Sequence, residues 1–346
     1  MTGNKLRAMG MVLAAAVLLA GFACPGPANA VEYNWKMATL APDSVGYARQ
    51  MKKIVFPVIE KETNGELKIK VYWGGIMGDD EGYIKKMRIG QLHGAGFSGQ
   101  GTTLACPDMT VVELPFLFNN WEEVDFIKTK MRPQFDELLK KAGYFALAWT
   151  DQDFDQVFST KYDLNTLEAF KKARFMTWYG PLEQALLNAL GASPVPVNVP
   201  EASASIRQGV VDAAVGAAIW VVGAQMYSVI KFYYPVKIRY SPSVILVTLD
   251  AWNMLPDNYK QRFHDIRFDL ERDYVTEIRK DNEKCLIAIQ KYGIRKGEIA
   301  PADMAAIEER AKTTWYELAD KVYPKATLDE LLAFLKEFRA QKQAAK

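Results

Sequence analysis

Over most of the chain, the hydrophobic pattern switches back and forth between the two-residue period of strands and the 3.6-residue period of helices. A strand pattern at 33–40 leads into a helix running to about residue 63. Asp43 or Ser44 is placed to cap that helix, Pro57 to kink it and Asn64-Gly65 to end it. Strands are expected at 67–73 and 94–98, with a helix at 79–89 between them. A helix at 121–142 should be interrupted by Pro133, and strands should follow at 144–149 and 156–159. The middle repeats this pattern, with strands at 173–178, 210–215 and 244–249 and helices at 181–190 and 200–208. Residues 257–292 then carry apolar side chains at helical spacing without a break, and two more helices, at 301–323 and 328–343, finish the chain. Alternation of this kind predicts an α/β fold with mostly parallel sheets.

The chain has 346 residues, enough for two domains that each bury a core. With 49% hydrophobic and 24% charged residues, it is outside the disordered and collagen-like classes. At the N-terminus, Lys5 and Arg7 precede an apolar run at 11–23, and Ala28-Asn29-Ala30 has the form of a signal-peptidase site. Residues 1–30 are therefore expected to be a signal peptide cleaved after Ala30, which places the mature protein in the periplasm. The run is short for a membrane span, and Gly21-Phe22-Ala23 before Cys24 makes a poor lipoprotein signal. The formal charge of +2 comes from Lys5 and Arg7, and the remainder carries 41 basic and 41 acidic residues. A neutral chain is a poor partner for nucleic acid or an anionic membrane.

Motifs for catalysis are absent. The sequence has no Gly-x-Ser-x-Gly, no phosphate-binding lysine loop and no His-Glu-x-x-His, so no enzyme, cofactor or resident metal is expected. His93 and His264 are isolated and read as structural or surface residues. Gly96-Phe97-Ser98-Gly99-Gln100-Gly101 is glycine-rich but lacks the lysine and the helix start of a phosphate cradle. A turn approached by a ligand or by another strand accounts for its glycines equally well. Cys106 and Cys285 read either as two buried thiols or as a disulfide.

Several segments, in order, resemble the solute receptors of TRAP transporters, the DctP-like family. They include Ala38-Thr39-Leu40-Ala41-Pro42-Asp43, Gly74-Gly75-Ile76-Met77-Gly78, Arg88-Ile89-Gly90-Gln91-Leu92 and Glu113-Leu114-Pro115-Phe116-Leu117-Phe118. Ala189-Leu190-Gly191-Ala192-Ser193-Pro194 and Gln208-Gly209-Val210-Val211-Asp212 continue the series. The resemblance implies a two-lobed periplasmic-binding-protein-like fold with crossover strands and a long helix spanning both lobes, for which 257–292 is the candidate. Lobe I would hold 31–152 plus 241–282; lobe II would hold 153–240 plus 283–346, including the C-terminal helices. It further implies capture of one small solute in the interlobe cleft and delivery to TRAP permease subunits in the membrane, the receptor itself not spanning it.

The chain departs from that family where the family grips a carboxylate. The usual anchor arginine corresponds to Met176, a second arginine to Asp155, and a polar asparagine to Gly216. Arg174, two residues before Met176, shares its strand face and offers a displaced cation. Trp149, Phe154, Trp178, Tyr179 and Trp220 lie in or near segments expected to line the cleft, and Ser98 and Gln100 complete the candidate ligand contacts. Losing an arginine fork while keeping aromatic rings predicts a less acidic, apolar or aromatic ligand, or an amine facing Asp155. Two alternatives remain: an ordinary organic-acid receptor using Arg174, and a sensing or lipid-handling module without a TRAP permease.

Overall fold

The computed structural model describes residues 32–43, 45–178 and 180–344. Residues 1–31, Ser44 and Tyr179, which carry the signal-peptide reading, one possible cap and one candidate ring, lie outside the described residues. Nine strands form a mixed sheet: β1 Tyr33–Thr39, β2 Leu67–Tyr72, β3 Gly94–Phe97, β4 Tyr144–Ser159, β5 Arg174–Thr177, β6 Ser193–Pro196, β7 Ala213–Gly216, β8 Phe232–Thr248 and β9 Arg295–Lys296. Their order is β2-β1-β3-β8-β4-β7-β5-β6, with β9 on β8. β1 runs parallel to β2 and β3, and β5 runs parallel to β6 and β7. The strand–helix alternation thus produces two parallel units.

The antiparallel pair β4 and β8 joins the two units. One end of β8 pairs with β3 and the opposite end of β4 pairs with β7, so both strands cross the molecule. Their register shifts between Ala146 and Ala148, Asp151 and Asp153, and Asp155 and Val157. Each shift bends the pair and re-aims its side chains. The expectation of two short strands at 144–149 and 156–159 is corrected to one strand of 16 residues. The expected strand at 244–249 is the last part of a 17-residue strand. Pro235, Pro242, Lys237 and Arg239 disguise its first two-thirds by breaking the apolar pattern.

Three helix expectations also change. The first helix starts at Gly46, with Val45 in the cap position and no side-chain cap, while Asp43 pairs with Lys52 instead. Met51–Val55 forms a π turn just before Phe56–Glu62, whose first turn holds Pro57. Proline brings no N–H and its ring crowds the carbonyl four residues back, and the widened turn relieves that crowding. Pro133 does not interrupt Trp121–Lys141, because Met131, Arg132, Phe135 and Leu139 are buried around it and packing holds the helix.

The helix Asp257–Lys291 spans both units. Phe263 and Tyr274 pack with Val55 and Ile59 of the first, Asn282 Oδ1 accepts from Ile219 N of the second at 3.0 Å, and Ile289 joins the second unit's core. The last helix, Lys325–Ala344, differs from the expected grouping with the second lobe. Leu328, Leu331 and Leu335 bury in the first unit's core, and Arg339 binds Glu123 of Trp121–Lys141 at 2.8 Å. Its apolar stripe finds its partner on that earlier helix, a pairing the helical pattern alone leaves unspecified. Cys106 and Cys285 are both free thiols. Among the described residues no helix is long and apolar enough to cross a membrane.

Candidate functional site

A cavity of about 80 Å³ lies where the crossing strands meet both units. Its floor is built by Thr150, Gln152 and Asp155 of β4 and by Ser243 and Ile245 of β8. The first unit supplies Thr39, Tyr47, Trp73 and Ser98; the second supplies Trp178, Gly216 and Trp220. Trp178 and Trp220 stand with ring centroids 4.6 Å apart and planes inclined at 50°. Trp220 leans on Gly216: a Cβ there would lie 2.7 Å from its ring. Glycine at 216 therefore admits the ring that closes this side of the cavity.

Many of the cavity's hydroxyls are already committed. Tyr47 donates to the Gln152 carbonyl at 3.0 Å, Tyr274 to the Tyr47 carbonyl at 3.3 Å, and Ser243 to the Phe97 carbonyl at 2.7 Å. Ser98 donates its hydroxyl to Asp80. Contrary to the expectation from sequence, a helix does start in the glycine-rich turn, at Gly99–Ala105. Asp80 fills its N-terminus, accepting from Ser98 N at 3.1 Å and Gly101 N at 3.0 Å. The chain's own carboxylate occupies the place an anion would take. Burial pushes Asp80 up to about 6, against the pull of these donors.

Behind the floor is a buried charge cluster. Arg239 of β8 is paired in register with Asp155 of β4; its Nε donates to Asp155 Oδ2 at 2.7 Å and its Nη2 to Glu183 Oε1 at 3.1 Å. The other Glu183 oxygen accepts from Trp178 N at 2.9 Å, which ties the ring-bearing segment to the cluster. Glu113 is also buried and is pushed up to about 8 by burial, with Arg239 opposing and Asp155 reinforcing the shift. Burial raises Asp155 to about 6, offset in part by Arg239. One guanidinium is thus bound by two carboxylates, with the Glu113 carboxyl beside them raised toward its neutral form, leaving little positive potential for an anion in the cavity.

Ser98, Asp155, Trp178, Gly216 and Trp220 therefore meet around one cavity. Gln100 lies in an adjoining recess with Asp79, Thr177 and Trp178. Trp149 and Phe154 do not line the cavity: they are buried in the first unit's core, against Phe135 and Trp121 respectively. Met176 is wholly buried in the second unit's core. Arg174 is outside as well. Its guanidinium binds Asp212 at 2.9 and 3.0 Å and the Gly209 carbonyl at 2.7 Å. Sequence reasoning missed Tyr47, Trp73, Tyr274 and Arg239. The first two flank loops, Tyr274 sits mid-helix, and Arg239 hides in the disguised part of β8. Among the described lining residues there is no lysine, arginine or histidine, and no cluster of metal-ligating side chains occurs among the described residues.

The chain is similar to a solute-binding protein of Chromohalobacter salexigens, with 21% identity over 79% of this chain and 81% of that protein. It is 24% identical to the C4-dicarboxylate-binding periplasmic protein DctP of Rhodobacter capsulatus, over 91% of this chain and 95% of the relative. Its fold matches the sugar acid binding protein DctPAm of Advenella mimigardefordensis, solved with galactonate. The TM-score is 0.83, at 18% identity and with 88% of this chain and 98% of that one covered. The family of bacterial extracellular solute-binding proteins, family 7 (DctP), matches residues 45–321. The chain is thus a two-lobed member of that family of solute receptors, which are not enzymes.

Proposed function

We propose that this receptor captures a less acidic solute than a typical organic acid, one bearing an aromatic or apolar body or an amine, and passes it to a TRAP-type permease driven by an ion gradient. The observation that carries this reading is the absence of a cation among the described lining residues, with Asp155 as the acidic group. A carboxylate enclosed without a cationic partner loses its water and gains little in return. An ammonium group would meet Asp155 and the faces of Trp178 and Trp220. Lobe boundaries near Asp151–Asp155 fit this reading, because the crossing strands break register beside the cavity. Export to the periplasm belongs to the same proposal and rests on the N-terminal pattern.

The second reading, an organic-acid receptor, is favoured by relatives such as the C4-dicarboxylate-binding protein. It loses its displaced anchor, since Arg174 is held by Asp212 outside the cavity. A thermal-shift screen of ligand-free protein separates the two. Stabilisation by amines and neutral aromatic compounds, unchanged in Arg174→Ala, is expected. Strong stabilisation by C4-dicarboxylates that disappears in Arg174→Ala would overturn the proposal.

A further inference from the structure

The interlobe cavity has a neighbour that shares part of its lining. A second cavity of about 50 Å³ opens beneath it inside the first unit. Thr39, Met51, Gly96, Thr150, Ile245 and Tyr274 line both, so the two spaces share a common wall. Beyond this shared wall the second cavity is lined by Met37, Val55, Val71, Phe145, Leu147 and Leu270, all apolar. The polar side chains that reach the second cavity are largely engaged elsewhere. Glu271 accepts from Arg132 and from Trp149 N, and Arg267 binds Asp136 at 2.9 Å and the Ala146 carbonyl at 3.3 Å. Several wall residues (Met51, Val71, Phe145, Leu147 and Leu270) are only partly buried although they flank the core. Protein cores are normally packed to crystal density, and an unfilled one loses stability. A space of this kind, sharing a wall with a ligand site, is suited to an apolar guest.

We propose that this well receives an apolar tail or ring of the captured solute, whose head occupies the interlobe cavity. The assignment rests on the solute reading above for the head group and, for the tail, on the lining the two cavities share. Gly96 is the natural gate. It lies in β3 between Thr39 and Ile245, and a Cβ there would sit 3.5 Å from Thr39 Oγ1, an ordinary contact. A larger side chain at 96 is therefore accepted by the backbone while it intrudes at the shared wall. The ligand class that follows is an amphiphile of modest size, with a compact polar head and a chain of several methylenes or a ring.

The test uses ligand-free full-length mature protein and homologous straight-chain series from two to ten carbons with amine, amide and carboxylate heads, followed by titration calorimetry. Affinity is expected to rise by about threefold or more per methylene until the well is full, and the heat-capacity change is expected to become more negative with each added carbon. In Gly96→Val the dependence on length disappears. Leu147→Trp, which fills the well from its far side, gives the same result if the first variant folds poorly. Affinity and heat capacity that do not depend on length in wild type, or no binding at any length, would overturn the well. A steep length dependence in which carboxylates bind best would keep the well and overturn the head-group reading instead.

Discussion

Arg239 and Asp155 face each other across the two crossing strands, in register, with Nε and Oδ2 2.7 Å apart and both side chains buried. The pair sits directly behind the floor of the cavity, and Glu183 extends it to the backbone of Trp178. The buried Arg239 guanidinium is thus spent on the protein's own carboxylates.

This arrangement predicts unequal roles for two arginines. Arg239→Met leaves Asp155 and Glu183 buried without their cation and should cost about 3–5 kcal/mol. Arg174→Ala removes a half-exposed partner of Asp212 that solvent screens, so the urea midpoint should barely move. Chemical denaturation of both variants checks this, and losses of similar size would contradict it.

Glu113 makes stability depend on pH. Its carboxyl is raised from an ordinary 4.5 to about 8 in the folded chain. The folded state therefore keeps a proton that the unfolded chain loses, so this contribution is full below about 4.5 and is lost as pH rises to about 8. The slope reaches about 1.4 kcal/mol per pH unit. Asp80 and Asp155, raised to about 6, act over a lower window. Glu113→Gln should flatten the slope between pH 6 and 8, as read by unfolding curves across that range. An unchanged slope would show that Glu113 is ionised in the folded protein.

Gly216 is predicted to be intolerant of a side chain. Gly216→Asn drives a Cβ into Trp220 and should cost about 1–3 kcal/mol of stability. It should also weaken ligand binding by about tenfold or more and shift tryptophan fluorescence as the Trp178–Trp220 pair separates. Wild-type affinity in this variant would show that the pair does not shape the site.

The free thiols give a simpler expectation. Cys106 packs in the first unit's core and Cys285 against the clusters beside the long helix, and burial raises their thiols to about 12 and about 11. Thermal stability should be the same with and without reductant, and Cys285, the less buried, should be alkylated first in native protein. A reductant-dependent melting temperature would contradict this.

Much of the architecture was legible because strand and helix periods differ and most elements here are short and amphipathic. The crossing strands were the exception. Buried along both faces at the middle, they carry Asp151, Asp153, Asp155 and Arg239 where a strand pattern demands apolar residues. Asp155 and Arg239 pair across the strands and Asp151 pairs with Lys128 and Arg279 from helices, while Asp153 accepts from Phe154 N at 2.6 Å and burial pushes its carboxyl well above the ordinary value. The placing of Asp155, Trp178, Gly216 and Trp220 around one cavity could be anticipated from their positions in family-like segments. Arg174 could not be placed, because its partner Asp212 is brought beside it only by the β5–β7 neighbourhood. Trp149 and Phe154 are aromatic residues beside cleft segments, yet the register shift at Asp151–Asp153 leaves them in the core. Strand registry, which no local pattern encodes, decided these positions.

A cavity with no cation among its described lining residues should prefer an amine or a neutral head to a carboxylate. Titration calorimetry of ligand-free wild-type protein with 2-phenylethylamine and 3-phenylpropanoate, two ligands of matched shape, tests it most directly. The amine should bind at least about tenfold tighter, equivalent to about 1.4 kcal/mol. Tighter binding of the carboxylate would contradict it.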